Sequence, residues 1–205
     1  MSLPAFPFQR RPFAHRTGGV LALLFCLAAA QPALAQQPSS SPSTATADSP
    51  SVYVQAGRAR GDTDALTLGV TLPWRSFQRE LWGGELRGYW DVYLSRWSYD
   101  AAPGRGGHST LLGITPTLRL TPDHGRSALF WEAGIGATYA DKRYVTPDRE
   151  FSTRFNFASH LGVGLQFGER RQHELALRVQ HVSNAGIKKP NPGNNFVQLR
   201  YAMHF

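Results

Sequence analysis

Apolar side chains alternate with small or polar ones in eight segments of this chain, and this period of two constrains the fold more than any other feature. A period of two is the repeat of a β-strand, because successive side chains of a strand point to opposite faces. The clearest segment is the last, in which one face is made of Val197, Leu199, Tyr201, Met203 and Phe205. The other seven segments lie near residues 52–56, 66–74, 86–94, 114–120, 129–139, 155–167 and 174–180. The sequence therefore predicts an all-β fold of eight antiparallel strands.

The direction in which the apolar face points separates two kinds of barrel. A soluble, lipocalin-like barrel turns its apolar side chains inward around a ligand, whereas a membrane barrel turns them toward lipid. Most of the segments are about ten residues long, the length that a tilted strand needs to cross a bilayer. The chain also stops on Phe205 within its last segment, a feature that resembles the signal read by the barrel assembly machinery of bacteria. We therefore predict an eight-stranded transmembrane β-barrel of the outer-membrane type over residues 51–205.

The polar face of each segment would line the interior of this barrel. Eight strands leave an interior just wide enough to be filled by side chains, so we expect a packed plug rather than a transport pore. An unpaired charge is costly in such a place, and charges of both signs are therefore needed. The charged residues of the interior parity are Glu85, Arg87, Asp91, Arg119, Glu132, Arg178 and Arg200.

The number of strands also sets the orientation of the barrel. An even number leaves both termini in the periplasm, and the connections after strands one, three, five and seven then face outside. We expect external loops at residues 98–107, 141–152 and 185–194, and a short periplasmic turn at residues 168–172.

The first 35 residues have the composition of a secretory signal peptide. Three arginines precede an apolar run of eleven residues at positions 20–30, and Ala33-Leu34-Ala35 follows as an A-x-A cleavage site. The run is shorter than the roughly 20 residues that a spanning helix needs. We expect cleavage after Ala35, a flexible leader rich in Gln, Ser, Pro and Thr at residues 36–50, and a mature protein located in the bacterial outer membrane.

Charge and motif content exclude several other functions. The chain has 22 Lys and Arg against 14 Asp and Glu, and without the three arginines of the signal peptide its net charge falls from +8 to +5. Such a surface suits anionic lipid head groups but also occurs as an ordinary solvated face, so it does not predict a nucleic-acid partner. The chain contains no H-E-x-x-H, P-loop or G-x-S-x-G motif, and we expect neither a metal nor a cofactor.

His181 and Ser183 lie on the lipid-facing parity of the seventh segment, at its external end. Residues two apart on a strand project to the same side, so the imidazole can take the hydroxyl proton of Ser183 as a general base. The alternative is that the two polar side chains only mark the boundary between lipid and water.

The run of residues 181–193, HVSNAGIKKPNPG, closely resembles the active-site segment of the PagL-type lipid A 3-O-deacylases. Members of that family are eight-stranded outer-membrane barrels with a serine-hydrolase site on the outer wall. The resemblance implies that His181 is the base and Ser183 the nucleophile. Their substrate would be the ester at the 3 position of lipid A in lipopolysaccharide, with release of a 3-hydroxy fatty acid.

The family's site also includes a glutamate that orients the histidine, and an ungapped count through the motif places Asn195 at that position. Asn195 has outward parity at the start of the eighth segment, so its side chain can meet the imidazole. An amide oxygen can accept the Nδ1 proton of a histidine, as in Cys-His-Asn sites. The other possibility is that an acid of the preceding loop, Asp148 or Glu150, replaces the glutamate.

The motif also offers groups that could bind the substrate. Backbone N–H groups near Asn184 and Gly186 and the amides of Asn184 and Asn191 are candidate donors to an oxyanion, and Lys188 is a candidate ligand for a lipid A phosphate. Gly, Pro and Asn also occur here for turn formation alone. The alternative function is a small non-catalytic barrel with a structural or adhesive role.

Overall fold

Eight antiparallel strands close into a barrel in the computed structural model, which describes residues 49–102 and 104–205. The strands are β1 (Ser51–Ala59), β2 (Thr63–Leu81), β3 (Gly84–Ala102), β4 (Arg105–Thr121), β5 (Leu129–Ala140), β6 (Phe155–Phe167), β7 (His173–Ser183) and β8 (Asn194–His204). Each strand pairs with its neighbours in the chain, and β1 pairs with β8. The predicted fold class is confirmed. The predicted signal peptide and nearly all of the predicted leader lie outside the described residues.

The outer wall of the barrel is apolar. Alternation along the strands turns one set of large hydrophobic side chains away from the interior, and these residues are exposed, among them Leu66, Leu68, Leu94, Leu112, Ile135, Leu161, Val179 and Val197. A water-soluble protein would bury such a wall, whereas lipid solvates it. The exposed apolar wall therefore excludes the lipocalin-like alternative. Among the described residues there is no helix with the length and hydropathy needed to cross a membrane.

The interior is filled by ion pairs and tyrosines. Arg178 donates to Asp91 at 2.8 Å and also to Glu132, and Arg200 donates to Asp91 at 3.1 Å. Arg119 binds Glu174 and, at 3.2 Å, Glu132. The hydroxyls of two buried tyrosines complete the same network, with Tyr53 donating to Asp91 at 2.6 Å and Tyr89 to Glu132 at 2.7 Å. Each buried charge thus has a partner of opposite sign, which offsets the cost of desolvation.

Two of the predicted interior charges lie elsewhere in the barrel. Glu85 and Arg87 are only half-buried and pair with each other near the end of the barrel at which β1 begins and β8 ends. We call this end the termini end, because Ser51 pairs there with His204. The opposite end is the site rim, and it carries the connections β1–β2, β3–β4, β5–β6 and β7–β8.

Aromatic side chains close the interior at the site rim. Trp97 and Tyr99 of β3 and Phe196 of β8 are buried there with two residues of the β5–β6 loop, Tyr144 and Phe151. Trp97 contacts Tyr144 and Phe196 at ring-centroid distances of 5.7 and 4.6 Å. The β5–β6 loop therefore folds over the lumen and is held there by apolar burial.

The prediction of a loop at residues 98–107 is wrong. β3 continues to Ala102 and β4 begins at Arg105, with Gly104 in the turn between them at a φ of +73°. Inward Tyr99 is buried and bonds to Ser109 at 3.1 Å, so alternation continues beyond the apolar band. The outward residues here, such as Asp100, are polar, and this polarity gave the segment the composition of a loop. Residues 141–152 fall in the β5–β6 connection and residues 185–193 in the β7–β8 connection, with Asn194 already the first residue of β8, and residues 168–172 form a tight turn, as predicted.

Replacement of Arg178 by Ala is expected to destabilise the barrel by about 3–5 kcal/mol, because Asp91 and Glu132 would keep their burial and lose a shared partner. Arg58→Ala is the control, since Arg58 pairs with Asp62 in solvent and exposed pairs contribute about 0–1 kcal/mol. Urea unfolding in phospholipid bilayers, followed by tryptophan fluorescence, measures both. Equal unfolding midpoints for the two variants would contradict this account of the interior.

Candidate active site

The outward face of β7 changes from apolar to polar at the site rim. Leu175, Leu177 and Val179 are exposed on this face, and His181 and Ser183 continue it in the same parity. Val182, between them, points inward and is buried in the aromatic cluster. The pairing of β7 therefore fixes both polar side chains on the lipid-facing wall, where the alternation predicted them.

Three side chains form a hydrogen-bonded row across β7 and β8. His181 Nδ1 lies 2.7 Å from Asn195 Oδ1, and His181 Nε2 lies 3.0 Å from Ser183 Oγ. An amide oxygen can only accept a hydrogen bond, so the imidazole proton is on Nδ1. Nε2 then presents its lone pair to the serine and accepts the hydroxyl proton. In this arrangement the imidazole can remove the proton from Ser183 without first changing tautomer.

The position of Asn195 follows from the register of β8. Asn195 is the direct pairing partner of His181, and directly opposed residues of an antiparallel pair have Cβ atoms about 4.5–5.5 Å apart. Its neighbours Asn194 and Phe196 point inward and are buried. Asn195 therefore stands beside the imidazole on the outer wall.

The acids considered as alternatives to Asn195 occupy other places. Glu150 accepts a hydrogen bond from Arg143 at 2.9 Å, and Asp148 is exposed in the turn of the β5–β6 loop. Since Asn195 Oδ1 already binds Nδ1 of His181, neither acid orients the imidazole in this structure.

The predicted oxyanion donors at Asn184 and Gly186 are engaged within the β7–β8 loop. The Asn184 side chain is buried and donates to Ser152 Oγ at 3.0 Å and to the Lys188 carbonyl at 2.8 Å. Its Oδ1 accepts from the Gly186 N–H at 3.0 Å, and its own backbone N–H donates to Asn191 Oδ1 at 3.0 Å. The side chain of Asn184 has inward parity, and it shapes the loop rather than facing Ser183.

Two predicted substrate-binding groups remain available. The Nδ2 of Asn191 takes no part in any hydrogen bond between described residues, and the Lys188 side chain is exposed in the β7–β8 loop. Among the described residues, no cluster of three or more His, Cys, Asp or Glu side chains has an arrangement that holds a metal ion.

A groove in the outer wall, which the sequence did not predict, begins at His181. It has a volume of about 770 Å³ and runs across β6, β5 and β4 to the end of β2, with lining residues that include Val179, Leu161, Ser159, Ile135, Pro116, Trp74 and Phe77. Small residues lower its floor, and the β4–β5 ladder skips Pro116, which has no N–H to donate. A proline within an otherwise alternating segment is the one sequence signal of this groove.

The far end of the groove is formed by an irregularity in β2. The β2–β3 register shifts between Pro73 and Gln78, and the Trp74 ring covers Gly88, where any Cβ would come within 1.9 Å of the ring. Trp74 packs edge-on against Phe77 and Trp90. The groove therefore ends at an aromatic wall.

An apolar outer wall, a plugged lumen and a bonded Asn–His–Ser row beside a lipid-facing groove define an outer-membrane barrel with the side chains of a hydrolase on its outer surface. The family model described as "Lipid A 3-O-deacylase (PagL)" matches residues 64–204. The chain belongs to the PagL family.

Individual relatives agree with this assignment. The chain is 33% identical to the lipid A deacylase PagL of Bordetella bronchiseptica over 61% of its own length and 70% of that protein. It is 30% identical to the lipid A deacylase PagL of Pseudomonas aeruginosa over 79% and 90% of the two lengths. The crystal structure of the outer membrane enzyme PagL superimposes with a TM-score of 0.63 and 26% identity, covering 76% of this chain and 99% of that one.

Asn195→Ala is expected to change the tautomer of His181, because Asn195 Oδ1 is the acceptor that keeps the proton on Nδ1. Nitrogen NMR of histidine-labelled protein, with His181→Gln to assign the signal, measures the protonated nitrogen at a pH where the ring is neutral. The wild type is expected to show the Nδ1–H form, and Asn195→Ala a mixture of both forms. An unchanged spectrum in Asn195→Ala would mean that another group orients the ring.

Proposed function

We propose that this protein hydrolyses the ester-linked 3-hydroxyacyl chain at the 3 position of lipid A by a serine-hydrolase mechanism. Ser183 is the nucleophile, His181 the base and Asn195 the residue that orients the base. The observation that carries the proposal is the row in which His181 binds Asn195 through Nδ1 and Ser183 through Nε2. This row faces lipid, so it suits an ester that is itself part of the membrane.

The reaction proceeds in two halves. Ser183 Oγ attacks the ester carbonyl carbon while its proton passes to His181 Nε2, and the electron pair of the C=O bond moves onto oxygen. The tetrahedral intermediate collapses as the bond to the sugar oxygen breaks, and His181 returns its proton to that oxygen. Water then attacks the acyl-serine, with His181 again taking and returning one proton. The products are a free 3-hydroxy fatty acid and lipid A with a 3-hydroxyl group.

Asn195 supports this cycle in a particular way. Its amide oxygen holds the Nδ1 proton in place throughout, so the tautomer is correct for each transfer. An amide stabilises the imidazolium less than a carboxylate does, because it carries no charge. We therefore propose a working site whose transition state is less stabilised than one with a glutamate at this position.

Asn191 is the oxyanion donor that best fits the available hydrogen bonds. The donors of Asn184 and Gly186 are used within the loop, whereas the Asn191 amide is fixed by its Oδ1 and keeps its NH₂ group free. A preorganised donor of this kind stabilises the charge that develops in the transition state. Exposed Lys188 supplies a positive charge for a lipid A phosphate.

The groove beside His181 is the proposed site of the acyl chain. It begins at the base, its walls are apolar and it opens toward lipid. Neighbouring strands lie about 4.8 Å apart, so the distance from β7 to β4 along the groove is about 14 Å. A hydrocarbon chain can bury most of its length there while its ester lies at Ser183.

The direction of export completes the proposal. We infer that the predicted signal peptide is removed after Ala35 and that the site rim faces outward, because β1 begins and β8 ends at the opposite end, which belongs in the periplasm. The row would then lie in the outer leaflet, where lipid A resides.

Ser183→Ala and His181→Ala are each expected to abolish release of the 3-linked acyl chain, and the double variant should lose no more than either single one, because the two groups act as a unit. Mass spectrometry of lipid A from cells that produce each variant measures the loss. A shift of the unheated protein on gels verifies that each barrel is folded. Near wild-type release by folded Ser183→Ala would rule out this mechanism and leave the non-catalytic barrel as the explanation.

Leu161→Trp is expected to lower kcat/KM for a long acyl chain by roughly tenfold, because the indole would fill the groove. Leu165→Trp is the matched control, since Leu165 has the same parity on β6 and is also exposed to lipid but does not line the groove. Hydrolysis of esters with short and long chains separates the effects. Equal losses in both variants would contradict this location of the chain.

A further inference from the structure

The β5–β6 loop contains a small hairpin at the site rim. Val145 pairs with Glu150, and the N–H of Phe151 donates to the Tyr144 carbonyl at 2.9 Å. The turn is closed by Thr146, whose N–H donates to the Arg149 carbonyl at 2.8 Å and whose Oγ1 accepts from the Arg149 N–H at 3.1 Å. The backbone of Arg149 is thus held from both sides.

The hairpin is anchored in the barrel rather than free in solvent. Tyr144 and Phe151 are buried at its base and pack against each other at a ring-centroid distance of 5.2 Å. Tyr144 OH also lies 2.7 Å from Thr63 Oγ1, which is buried at the start of β2. A side chain carried by this hairpin therefore has a defined position relative to the strands.

Two side chains of the β5–β6 loop hold the β7–β8 loop at its two ends. Ser152 Oγ donates to the Lys188 carbonyl at 2.8 Å and accepts from Asn184 Nδ2 at 3.0 Å, close to the end of β7. Arg149 Nη1 donates to the Gly193 carbonyl at 2.9 Å, immediately before β8. Ser183 directly precedes Asn184 in the chain, and Asn195, which binds His181, lies two residues after Gly193.

Gly193 packs directly on the imidazole. A Cβ at this position would come within 2.7 Å of His181 Cε1 and 3.3 Å of Nε2, and the φ of Gly193 is +62°. Both facts favour glycine, because any side chain would meet the ring and L-residues rarely adopt this φ. The backbone of Gly193 therefore forms a wall against the edge of the ring between its two nitrogens.

We propose that Arg149 is a positioning residue for His181 and acts through the Gly193 carbonyl; the proposal rests on the function proposed above. Asn195 fixes the ring at Nδ1, and Gly193 limits its movement at Cε1. The guanidinium holds Gly193 in place from a hairpin that is itself anchored. Without Arg149, the ring keeps its Asn195 bond but loses the wall that directs Nε2 toward Ser183.

Loss of Arg149 is expected to slow turnover rather than to weaken substrate binding. Because a small displacement of a reacting group lowers the reaction rate strongly, Arg149→Ala should lower kcat by roughly 10- to 100-fold. KM should stay nearly unchanged, because Arg149 lies outside the groove. Arg149→Lys keeps a cationic donor and should recover most of the lost kcat. The control is Arg143→Ala, which removes another arginine of the same loop, bonded to Glu150, and should leave kcat unchanged.

A second measurement does not depend on activity. Loss of the Arg149 bond should speed tryptic cleavage after Lys188, since one attachment of the β7–β8 loop is gone, and Arg143→Ala should not. If wild type and Ser183→Ala prove equally inactive, the function proposed above fails, and this cleavage rate still tests the attachment.

Gly193→Ala provides an independent test, because it should lower kcat while Arg149 remains. The inference is overturned if folded Arg149→Ala has wild-type kcat, if kcat falls equally in Arg143→Ala, or if Arg149→Ala leaves the cleavage rate unchanged. A fall in kcat for Arg149→Ala, recovery by Arg149→Lys and faster cleavage would establish it.

Discussion

Closure of the β-ladder between β1 and β8 is the constraint on which the rest of this molecule depends. A sheet with no edge can satisfy its backbone groups inside a membrane, and each residue of each strand must then point either to the lumen or to lipid. The lumen of eight strands accommodates side chains but no solvent channel. The charges therefore pair within it, and any polar group of the opposite parity stands on the outer wall.

The row on the outer wall is a consequence of this geometry. His181 and Asn195 are opposed in the β7–β8 register, and Ser183 lies two residues from His181 on the same face. One register therefore brings together three residues of outward parity, with the rigidity of a ladder rather than of a loop. The loops contribute indirectly to the position of the imidazole, because Gly193 contacts the ring and Arg149 bonds to Gly193.

Period-two alternation predicted the eight strands and the presence of charges of both signs in the interior, because each depends only on parity and order. Asn195 was identified through the resemblance of the motif to the family, and its outward parity then predicted that it could meet His181. Alternation did not predict the ends of β3 and β4. Above the apolar band the outward residues, such as Asp100, are polar, and in the sequence this polar stretch has the composition of a loop. Asn184 was expected to donate to the oxyanion, but its side chain points inward and makes its hydrogen bonds within the loops. Arg149 lies 44 residues from Gly193 and depends on a hairpin within a loop, for which alternation gives no signal.

The plugged lumen has a consequence for the cell that carries this barrel. Ion pairs and tyrosines fill the passage along the axis, so the part of the chain that the structure describes leaves no open channel through the barrel. Chemistry and permeability are thus separated: a substrate would approach by lateral diffusion in the plane of the membrane, and its fragments would leave into the same layer of lipid. The proposed reaction would therefore modify the lipid of the outer leaflet without opening a channel through the membrane.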